Sequence, residues 1–283
     1  MTLFTFLRCR ISVRAFQSPA SQNFSICGLV QSTNIHILLP DWSCNHLGTE
    51  PFTNPCDWIG ISCNNFTIAQ IKLPNLDVIG SIPSSIGILT DLQSFDLSGN
   101  RLNRSIPSSI GLLNSLSFLD ISGNQLTSSI PSTIGTLSSL SYLSLHTNSL
   151  HHSIPSTISY LSNSLTYLDL SSNCLVSSIP TSFGMFSNIL VIDLHENQLS
   201  SMFPSSLGYL TSVAHIDFST NSLTSSIPSA IGLLLNLQYL SLQQNFISGP
   251  LPHSISALSK LEYLDLHFNI ISRSLPSSIG YLT

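Results

Sequence analysis

Apolar residues recur along most of this chain with a fixed period of roughly 24 residues, as the segment LSFLDISGNQLTSSIPSTIGTL at 116–137 illustrates. An apolar residue followed by proline marks the same point of every period: Pro83, Pro107, Pro131, Pro155, Pro180, Pro204, Pro228, Pro252 and Pro276. Successive prolines keep this spacing, except for one longer interval that contains a single extra residue near Asn163. Fixed periods of roughly 20–50 residues are typical of repeat proteins, so we predict a stack of near-identical coils.

Each period contains a short strand followed by an asparagine. Apolar and polar residues alternate in runs such as Leu143-Ser144-Leu145, a pattern that predicts a strand half-buried on one face. A buried carboxamide both donates and accepts hydrogen bonds, so stacked asparagines are expected to satisfy the backbone groups where the chain leaves the strand. The asparagines of this predicted ladder are Asn100, Asn124, Asn148, Asn173, Asn197, Asn221, Asn245 and Asn269.

The second half of each period predicts a return path without long helices. Proline disfavours helical geometry for the residue before it, so the apolar-proline pair is expected to be extended. A glycine four residues after the proline is expected to permit a tight bend, and serine replaces it at Ser159 and Ser256. The glycines are Gly87, Gly111, Gly135, Gly184, Gly208, Gly232 and Gly280.

One coil cannot bury enough apolar surface to fold alone, so the coils must stack and share a continuous core. The pattern LxxLxLxxNxLxxxIPxxIGxL therefore predicts an α/β-type repeat solenoid, a right-handed leucine-rich-repeat superhelix. A parallel β-sheet is expected on its concave face, with short 3-10 or loop segments on the convex face. Nine strands are expected, counting the divergent run IAQIKL at 68–73.

The polar positions of these strands point outward and form three columns across the concave face. The first reads Ser94, Phe118, Tyr142, Tyr167, Val191, His215, Tyr239, Tyr263. The second reads Asp96, Asp120, Ser144, Asp169, Asp193, Asp217, Ser241, Asp265. The third reads Ser98, Ser122, His146, Ser171, His195, Ser219, Gln243, His267.

Aromatic and acidic side chains in these columns are candidates for ligand contact. Tyrosine offers a large amphipathic surface at a small entropic cost, and an acidic trough suits a cationic or hydroxyl-rich ligand. The alternatives are that the aromatic residues only stabilise the sheet through cross-strand pairs, and that the carboxylates only accept bonds from nearby hydroxyls. The candidates are Phe118, Tyr142, Tyr167, Asp169, Asp193, His195, His215, Asp217, Tyr239, Tyr263, Asp265 and His267.

Composition and charge exclude several classes of function. Only 7% of the residues are charged, and the formal net charge is −5 with eight Lys plus Arg, so a nucleic-acid partner is not expected. No apolar run approaches the roughly 20 residues that span a bilayer. Motifs for a cofactor, a metal or a catalytic nucleophile are not found, and repeated positions indicate duplication, so we expect a non-enzyme that needs no cofactor.

Five of the six cysteines lie in the first quarter of the chain, which favours a disulfide-stapled cap over a zinc site because no CxxC pair occurs. Cys56 and Cys63 are interpreted as a disulfide pair. Cys27 and Cys44 are possible partners whose connectivity the sequence leaves open. Cys9 is assigned to a removed leader, and Cys174 in the repeats is expected to be a lone thiol.

The repeat, together with Pro55-Cys56-Asp57-Trp58-Ile59-Gly60-Ile61-Ser62-Cys63, resembles the plant-type extracellular leucine-rich-repeat proteins. These include receptor-like kinases, receptor-like proteins and polygalacturonase inhibitors. The resemblance covers residues 68–283 and the cap motif PCxWxGVxC. It implies that Cys56 and Cys63 form a disulfide, that Trp58 packs over the open end of the first coil, and that the protein is secreted or membrane-anchored and recognises a ligand.

The chain departs from that family at three places. The glycine usually found three residues before the proline is kept only at Gly80 and Gly249, and Ser, Arg or His replaces it elsewhere. No convincing amphipathic helix is found in residues 20–55, where the cap of the family begins with one. The short apolar stretch at the N-terminus, broken by Arg8 and Arg10, leaves a secretory signal, an organelle transit peptide and a misjudged start codon as alternatives.

These observations divide the chain into three parts: residues 1–40 as a leader or poorly ordered segment, 41–67 as a cysteine-containing cap, and 68–283 as about nine repeats with the last truncated. The expected function is recognition of a protein, peptide or carbohydrate by the concave face, as a receptor-like ectodomain or a secreted recognition protein in signalling or defence. A co-receptor or a missing C-terminal domain is expected as a further partner. An inhibitor of a cell-wall hydrolase and an intracellular scaffold are the alternatives. Sequons at Asn65 and Asn103, and a third at Asn23, predict glycosylation if the chain is secreted.

Overall fold

The computed structural model describes residues 19–39, 44 and 54–272, and these form a repeat solenoid preceded by a helical cap. Expectations for Cys9, for Pro276 and Gly280, and for the end of the last repeat fall outside the described residues. The expected parallel sheet on the concave face is confirmed. In spatial order it consists of β1 Ile61–Asn64, β2 Thr67–Lys72, β4 Ser94–Asp96, β6 Phe118–Asp120, β8 Tyr142–Ser144, β10 Tyr167–Asp169, β12 Val191–Asp193, β14 His215–Asp217, β16 Tyr239–Ser241 and β18 Tyr263–Asp265.

Only β1 is antiparallel in this sheet, because it joins β2 in a hairpin. The other nine strands are parallel and in register, so a given position of one strand lies beside the same position of the next, as Tyr142 lies beside Tyr167. The nine strands expected from the sequence, including the divergent first one, are therefore all present.

A second set of short strands, which the sequence pattern did not predict, lies where the chain leaves each asparagine. Within the described residues one sheet contains seven strands and another two. They are β3 Ile79–Gly80, β5 Arg101–Ser105, β7 Gln125–Ser128, β9 Ser149–His152, β11 Cys174–Ser177, β13 Gln198–Met202 and β15 Ser222–Thr224, with β17 Ser248–Gly249 paired to β19 Ile270–Ile271.

Short 3-10 helices complete the coils on the convex side, as expected. Each begins directly after a proline whose backbone is extended, because proline sets its own φ and excludes a helix before it. They span Ser84–Ile88, Ser108–Leu112, Ser132–Thr136, Ser156–Leu161, Thr181–Met185, Ser205–Tyr209, Ser229–Leu233 and His253–Ala257, with a further one in the cap at Pro55–Asp57.

The core is one continuous column of aliphatic and phenylalanine side chains from the cap to the last described coils. In the fourth coil, for example, Leu140, Leu143, Leu145 and Leu150 are fully buried. Each coil buries the same positions against its two neighbours, so the apolar surface that one coil exposes is covered by the next.

The asparagine ladder joins each coil to the coils beside it. The Nδ2 of Asn124 donates to the carbonyls of Leu97, Ile121 and Ser122 at 2.9–3.1 Å. Its Oδ1 accepts the Leu102 N–H at 2.8 Å. The seven other predicted asparagines make the equivalent bonds, for instance Asn100 to Leu73 and Asn269 to Leu242. These carbonyl and amide groups would otherwise be buried without partners, at a cost of about 1–3 kcal/mol each.

The role expected for the repeated glycine is wrong. Its φ is not positive, so no special bend requires it. A Cβ added at Gly111 would instead lie 2.3 Å from the Thr133 carbonyl of the next coil, and one at Gly135 would lie 2.1 Å from the Thr157 carbonyl. Glycine is therefore needed because adjacent coils approach backbone to backbone.

The longer coil, which contains Asn163, accommodates its extra residue on the convex side. Its 3-10 helix, Ser156–Leu161, is one residue longer than the other convex helices and ends at Ser162 in a right-handed helical conformation. The contact to the next coil is looser there, because Ser182 Oγ donates to the Ser156 carbonyl at 3.3 Å, whereas Thr157 reaches the Ser132 carbonyl at 2.7 Å. A cleft of about 560 Å³ lies beside these residues.

The cap contains two helices, α1 Pro19–Ser32 and α2 Ile35–Leu38, in the region where the sequence shows no convincing amphipathic helix. Ile26, Leu29 and Val30 of α1 are buried in the core that continues into the repeats. The described cap therefore starts before residue 40, where the sequence placed the end of a leader. The helix was missed because it carries no charged residue and contains Gly28, whose absent side chain lets α1 approach Ser85.

Two disulfides staple the cap. Cys56 is bonded to Cys63, as interpreted from the sequence, and Cys27 is bonded to Cys44, which settles the pairing left open there. Trp58 is only 4% exposed and belongs to the same core as the first strands. Cys174 is a free, exposed thiol. Within the described residues, no helix is long and apolar enough to cross a bilayer.

Candidate ligand-binding surface

The aromatic residues of the first column stack face to face across neighbouring strands. The ring centroids of Phe118 and Tyr142, and of Tyr142 and Tyr167, are 4.4 Å apart, with planes within 10° of parallel. His215 and Tyr239 are 4.1 Å apart, and Tyr239 and Tyr263 4.4 Å. The in-register parallel strands create these contacts, because identical positions must lie one strand spacing apart.

The column therefore forms two stacks of three rings. The first stack is Phe118, Tyr142 and Tyr167, and the second is His215, Tyr239 and Tyr263. Val191 lies between them, in register with Tyr167 on one side and His215 on the other. Aromatic pairs of this kind contribute about 0.5–1.5 kcal/mol each beyond their burial, so the stacks stabilise the sheet as well as presenting a flat surface.

The carboxylates of the second column close the turn after each strand. Oδ1 of Asp169 accepts the Ser171 N–H at 3.0 Å and the Ser171 hydroxyl at 2.6 Å. Asp193 makes the same bonds to the N–H of His195 at 3.0 Å and to its Nδ1 at 2.7 Å. The second carboxylate oxygen, Oδ2, takes no part in these turn bonds. This arrangement supports the alternative in which the acids stabilise the strand ends, although it leaves one oxygen of each for other contacts.

Tyrosine hydroxyls lie near these second oxygens. Tyr167 donates to Oδ2 of Asp169 and Tyr239 to Oδ2 of Asp217, both at 3.4 Å, and Tyr263 donates to Oδ2 of Asp265 at 3.1 Å. Burial and the adjacent Asp217 raise the pKa of Tyr239 to about 12. Burial and the charge of Asp169 likewise raise the pKa of Tyr167. The tyrosines are therefore hydrogen-bond donors at neutral pH.

Three acids stand side by side in the centre of the surface. Asp169, Asp193 and Asp217 are in register on β10, β12 and β14, and Asp169 is buried. The hydrogen bond to Asp193 raises the pKa of His195, burial opposes this, and the charges of the three aspartates add to the increase. Like charges on neighbouring strands are destabilising, so this centre favours the approach of positive charge.

All twelve candidate residues lie on one face. Tyr263, Asp265 and His267 occupy the last described concave strand and the turn after it, and Tyr263 is 42% exposed. Ser144 and Ser241 replace aspartate in the second column and are fully buried. Among the described residues no group of three His, Cys, Asp or Glu side chains is arranged to hold a metal ion.

The glycosylation candidates lie away from this surface. Asn65 has a left-handed backbone conformation in the β1–β2 hairpin and is exposed. Asn103 lies on β5 of the second sheet and is half-buried.

Comparison with known proteins agrees with this architecture. The family model described as Leucine Rich Repeat matches residues 91–113, 115–137, 164–186, 236–258 and 260–282. A chain of the BIR3–SERK2 complex from Arabidopsis thaliana is 36% identical, with a TM-score of 0.54 over 62% of this chain and 93% of that one. This chain belongs to the leucine-rich-repeat family.

Its relatives within the family include plant receptor-like kinases. The receptor protein kinase EMS1 of Arabidopsis thaliana is 32% identical over 99 residues, which are 35% of this chain and 8% of EMS1. The ectodomain of the receptor kinase GASSHO1/SCHENGEN3 from the same plant, solved with CASPARIAN STRIP INTEGRITY FACTOR 2, is 30% identical with a TM-score of 0.83. That match covers 92% of this chain and 31% of the ectodomain. The leucine-rich repeats of this chain thus have the non-catalytic fold of plant receptor ectodomains and span a small part of those relatives.

Proposed function

We propose that this leucine-rich-repeat chain is an extracellular recognition module whose concave aromatic and acidic columns bind a peptide or protein segment. The observation that supports it most directly is the pair of three-ring stacks, each beside carboxylates, on the face formed by the in-register strands. Aromatic residues dominate binding energy in protein interfaces because they bury much area at a small entropic cost. The solved ectodomain of GASSHO1/SCHENGEN3 is a complex with a second protein, which agrees with this proposal.

An extracellular location is part of the proposal. Disulfides persist in oxidising compartments, because the cytosol keeps thiols reduced. The two cap disulfides therefore favour export over the alternative of an intracellular scaffold. Mass spectrometry after alkylation of the natively expressed protein without prior reduction tests this: we expect Cys56 and Cys63 to be unlabelled and Cys174 to be labelled. Labelling of the cap cysteines would reject the location.

Exported chains of this kind would carry N-linked glycans at Asn65 and Asn103. The exposed hairpin position of Asn65 leaves room for a glycan, and neither asparagine lies on the concave face. Glycopeptide mass spectrometry of protein secreted from plant cells is expected to find a glycan at Asn65 first. Replacement by Asn65→Gln should then lower the mass without changing ligand binding.

The central test compares tyrosines on the two faces. A display library of random peptides is selected against the wild-type chain, and the selected peptides are measured against two variants. The triple variant Tyr142→Ala, Tyr167→Ala, Tyr239→Ala is expected to weaken binding by a factor of roughly a hundred, since truncated aromatic hot spots cost about 2 kcal/mol or more.

The matched control removes tyrosines from the convex side. Tyr160 and Tyr209, each 70% exposed, lie on the convex 3-10 helices. The double variant Tyr160→Ala, Tyr209→Ala should bind the selected peptides like the wild type. If both variants lose binding equally, or if only the convex variant does, the concave face is not the recognition surface. Inhibition of a cell-wall hydrolase by the chain, with no peptide selected, would favour the inhibitor alternative.

A further inference from the structure

The interruption of the aromatic column at Val191 leaves a gap, here called the recess, between the ring stack that ends at Tyr167 and the one that begins at His215. The rings of Tyr142 and Tyr167 are within 6° of parallel, and those of His215 and Tyr239 within 9°, so one face of Tyr167 and one face of His215 point toward the strand of Val191. The branched aliphatic side chain of Val191 is too short to fill the position that a ring occupies on the neighbouring strands.

The recess has the dimension of one flat group. Two strand spacings of about 4.8 Å separate the strands of Tyr167 and His215, so a flat group midway would lie about 4.8 Å from each ring. The rings within the stacks are 4.1–4.4 Å apart. A planar group inserted over Val191 would therefore join the two stacks into one column of seven layers.

The polar atoms beside the recess select a cation. On β10 and β18 the tyrosine hydroxyl reaches Oδ2 of the aspartate two residues on, as Tyr167 reaches Asp169 and Tyr263 reaches Asp265. On β16, Tyr239 instead reaches Oδ2 of Asp217 on the neighbouring strand. Val191 offers no such hydroxyl to Asp193. The hydrogen bonds that Asp193 accepts within the described part of the chain both reach Oδ1, although its side chain is only 18% exposed.

We propose that the space over Val191, bounded by the rings of Tyr167 and His215, is a subsite for an arginine side chain of the ligand. The guanidinium plane stacks between the two rings and donates to Oδ2 of Asp193. This inference rests on the proposed function, because it assigns one residue type of the ligand to one point of the concave surface.

Arginine satisfies both features of the subsite at once. Its guanidinium is planar, always charged and weakly hydrated, so it stacks on aromatic faces and pairs with carboxylates in the same pose. A lysine ammonium carries the charge but has no plane to stack. A neutral aromatic side chain fills the space but leaves Oδ2 of Asp193 without a donor, between the like charges of Asp169 and Asp217.

The test uses three short peptides of glycine and serine that differ only in one central residue: arginine, lysine or citrulline. Citrulline has the shape of arginine without its charge. Binding to the full chain is measured by saturation-transfer NMR at low salt and neutral pH. We expect the arginine peptide to bind about tenfold more tightly than either of the others, because each of these lacks one of the two contacts.

Filling the recess provides the decisive variant. Tyrosine occupies the position of Val191 in four other coils, so Val191→Tyr is expected to fold and to complete the column. It should abolish the preference for arginine, and Asp193→Asn should reduce it about tenfold. The control Leu233→Tyr adds a ring on the convex side, where tyrosine occupies the same repeat position at Tyr160 and Tyr209, and should leave the preference unchanged. Circular dichroism of each variant checks the fold.

The outcomes separate this inference from the proposed function. Equal binding of arginine and citrulline peptides, or an arginine preference that survives in Val191→Tyr, rejects the arginine subsite. If library peptides still depend on the concave tyrosines in that case, recognition by the concave face stands alone. If no library peptide depends on the concave tyrosines and the arginine peptide does not bind, both are rejected.

Discussion

Single asparagine side chains hold the coils together, and their loss has a calculable cost. Asn173 is buried and donates to the carbonyls of Leu145, Leu170 and Ser171, while its Oδ1 accepts the Leu150 N–H at 3.0 Å. Asn173→Ala leaves these backbone groups without partners, so it should lower the free energy of unfolding by roughly 2–4 kcal/mol. Urea denaturation followed by circular dichroism measures the change.

An asparagine outside the ladder provides the comparison. Asn114 is exposed on the convex side, so Asn114→Ala should change the free energy of unfolding by no more than about 0.5 kcal/mol. Equal effects of the two substitutions would show that residue type, and not the ladder, determines the loss.

A second prediction at this scale concerns protonation of His195. Its bond to Asp193 raises its pKa above the ordinary value of 6.5. Because the folded-state pKa is raised, the stabilising contribution of His195 is full below pH 6.5 and is lost as the pH rises through the folded-state value. An NMR titration of the histidine ring signals should therefore place His195 above 6.5.

Removing the partner reverses that shift. In Asp193→Asn the pKa of His195 should fall, because burial then disfavours the charged ring. Asp120→Asn is the control, since it lies three strands away, about 14 Å at about 4.8 Å per strand, beyond the Debye length at moderate salt. If the pKa of His195 were the same in Asp193→Asn as in the wild type, the hydrogen bond to Asp193 would not be the cause of the shift.

At the scale of the element, a residue with a left-handed backbone recurs from coil to coil, at or just after the short strand of the second sheet. In most coils this residue is not glycine. Arg104, Ser128, His152, Ser177, Ser201 and Ser225 have φ between 67° and 76°. The left-handed region disfavours residues with a Cβ, which is why only glycine adopts it at little cost. The glycine that the family usually has three residues before the proline is therefore missing at a position where the backbone is strained without it.

Glycine should relieve that strain. Ser201→Gly is expected to raise the free energy of unfolding by about 0.5–1 kcal/mol, whereas Ser200→Gly on the same strand should lower it by a similar amount, because Ser200 is not left-handed. Thermal or urea denaturation of both single variants decides the matter. A loss of stability in Ser201→Gly would mean that its side chain contributes more than the strain costs.

The periodic elements were predictable and the exceptions were not, for a physical reason. Alternation of residues such as Leu143, Ser144 and Leu145 places each side chain on a known face, so the strands and the outward columns could be read from one coil. The close approach at Gly111 and the gap at Val191 depend on the neighbouring coil, which one period does not contain. Helix α1 was missed because it carries no charged residue that would mark a polar face, and because Gly28 lowers its helix propensity.

At the scale of the whole molecule, each coil contacts mainly its neighbours, so a local change should remain local. The Cys27–Cys44 disulfide ties α1 to the following segment of the cap. In the variant Cys27→Ser, Cys44→Ser, the amides of α1 should exchange with solvent faster, whereas those of the central strands, such as β8 and β10, should keep their protection. Hydrogen exchange read by mass spectrometry measures both regions in one experiment.

A global loss of protection would contradict this prediction, because it would show that the cap and all repeats unfold as one unit. The variant Cys174→Ser, which removes only the exposed free thiol of β11, is the control and should exchange like the wild type in both regions.

The longer coil around Asn163 also indicates where such chains tolerate insertions during evolution. Its extra residue lengthens the convex 3-10 helix, while Tyr142 and Tyr167 on either side of it remain in register and stacked. Insertions and deletions on the convex arc are therefore nearly neutral for the columns, whereas a shift of one residue within a strand would turn each column away from its face. Gene duplication can add coils, and the convex side can change in length, while the residue columns of the concave face keep their positions.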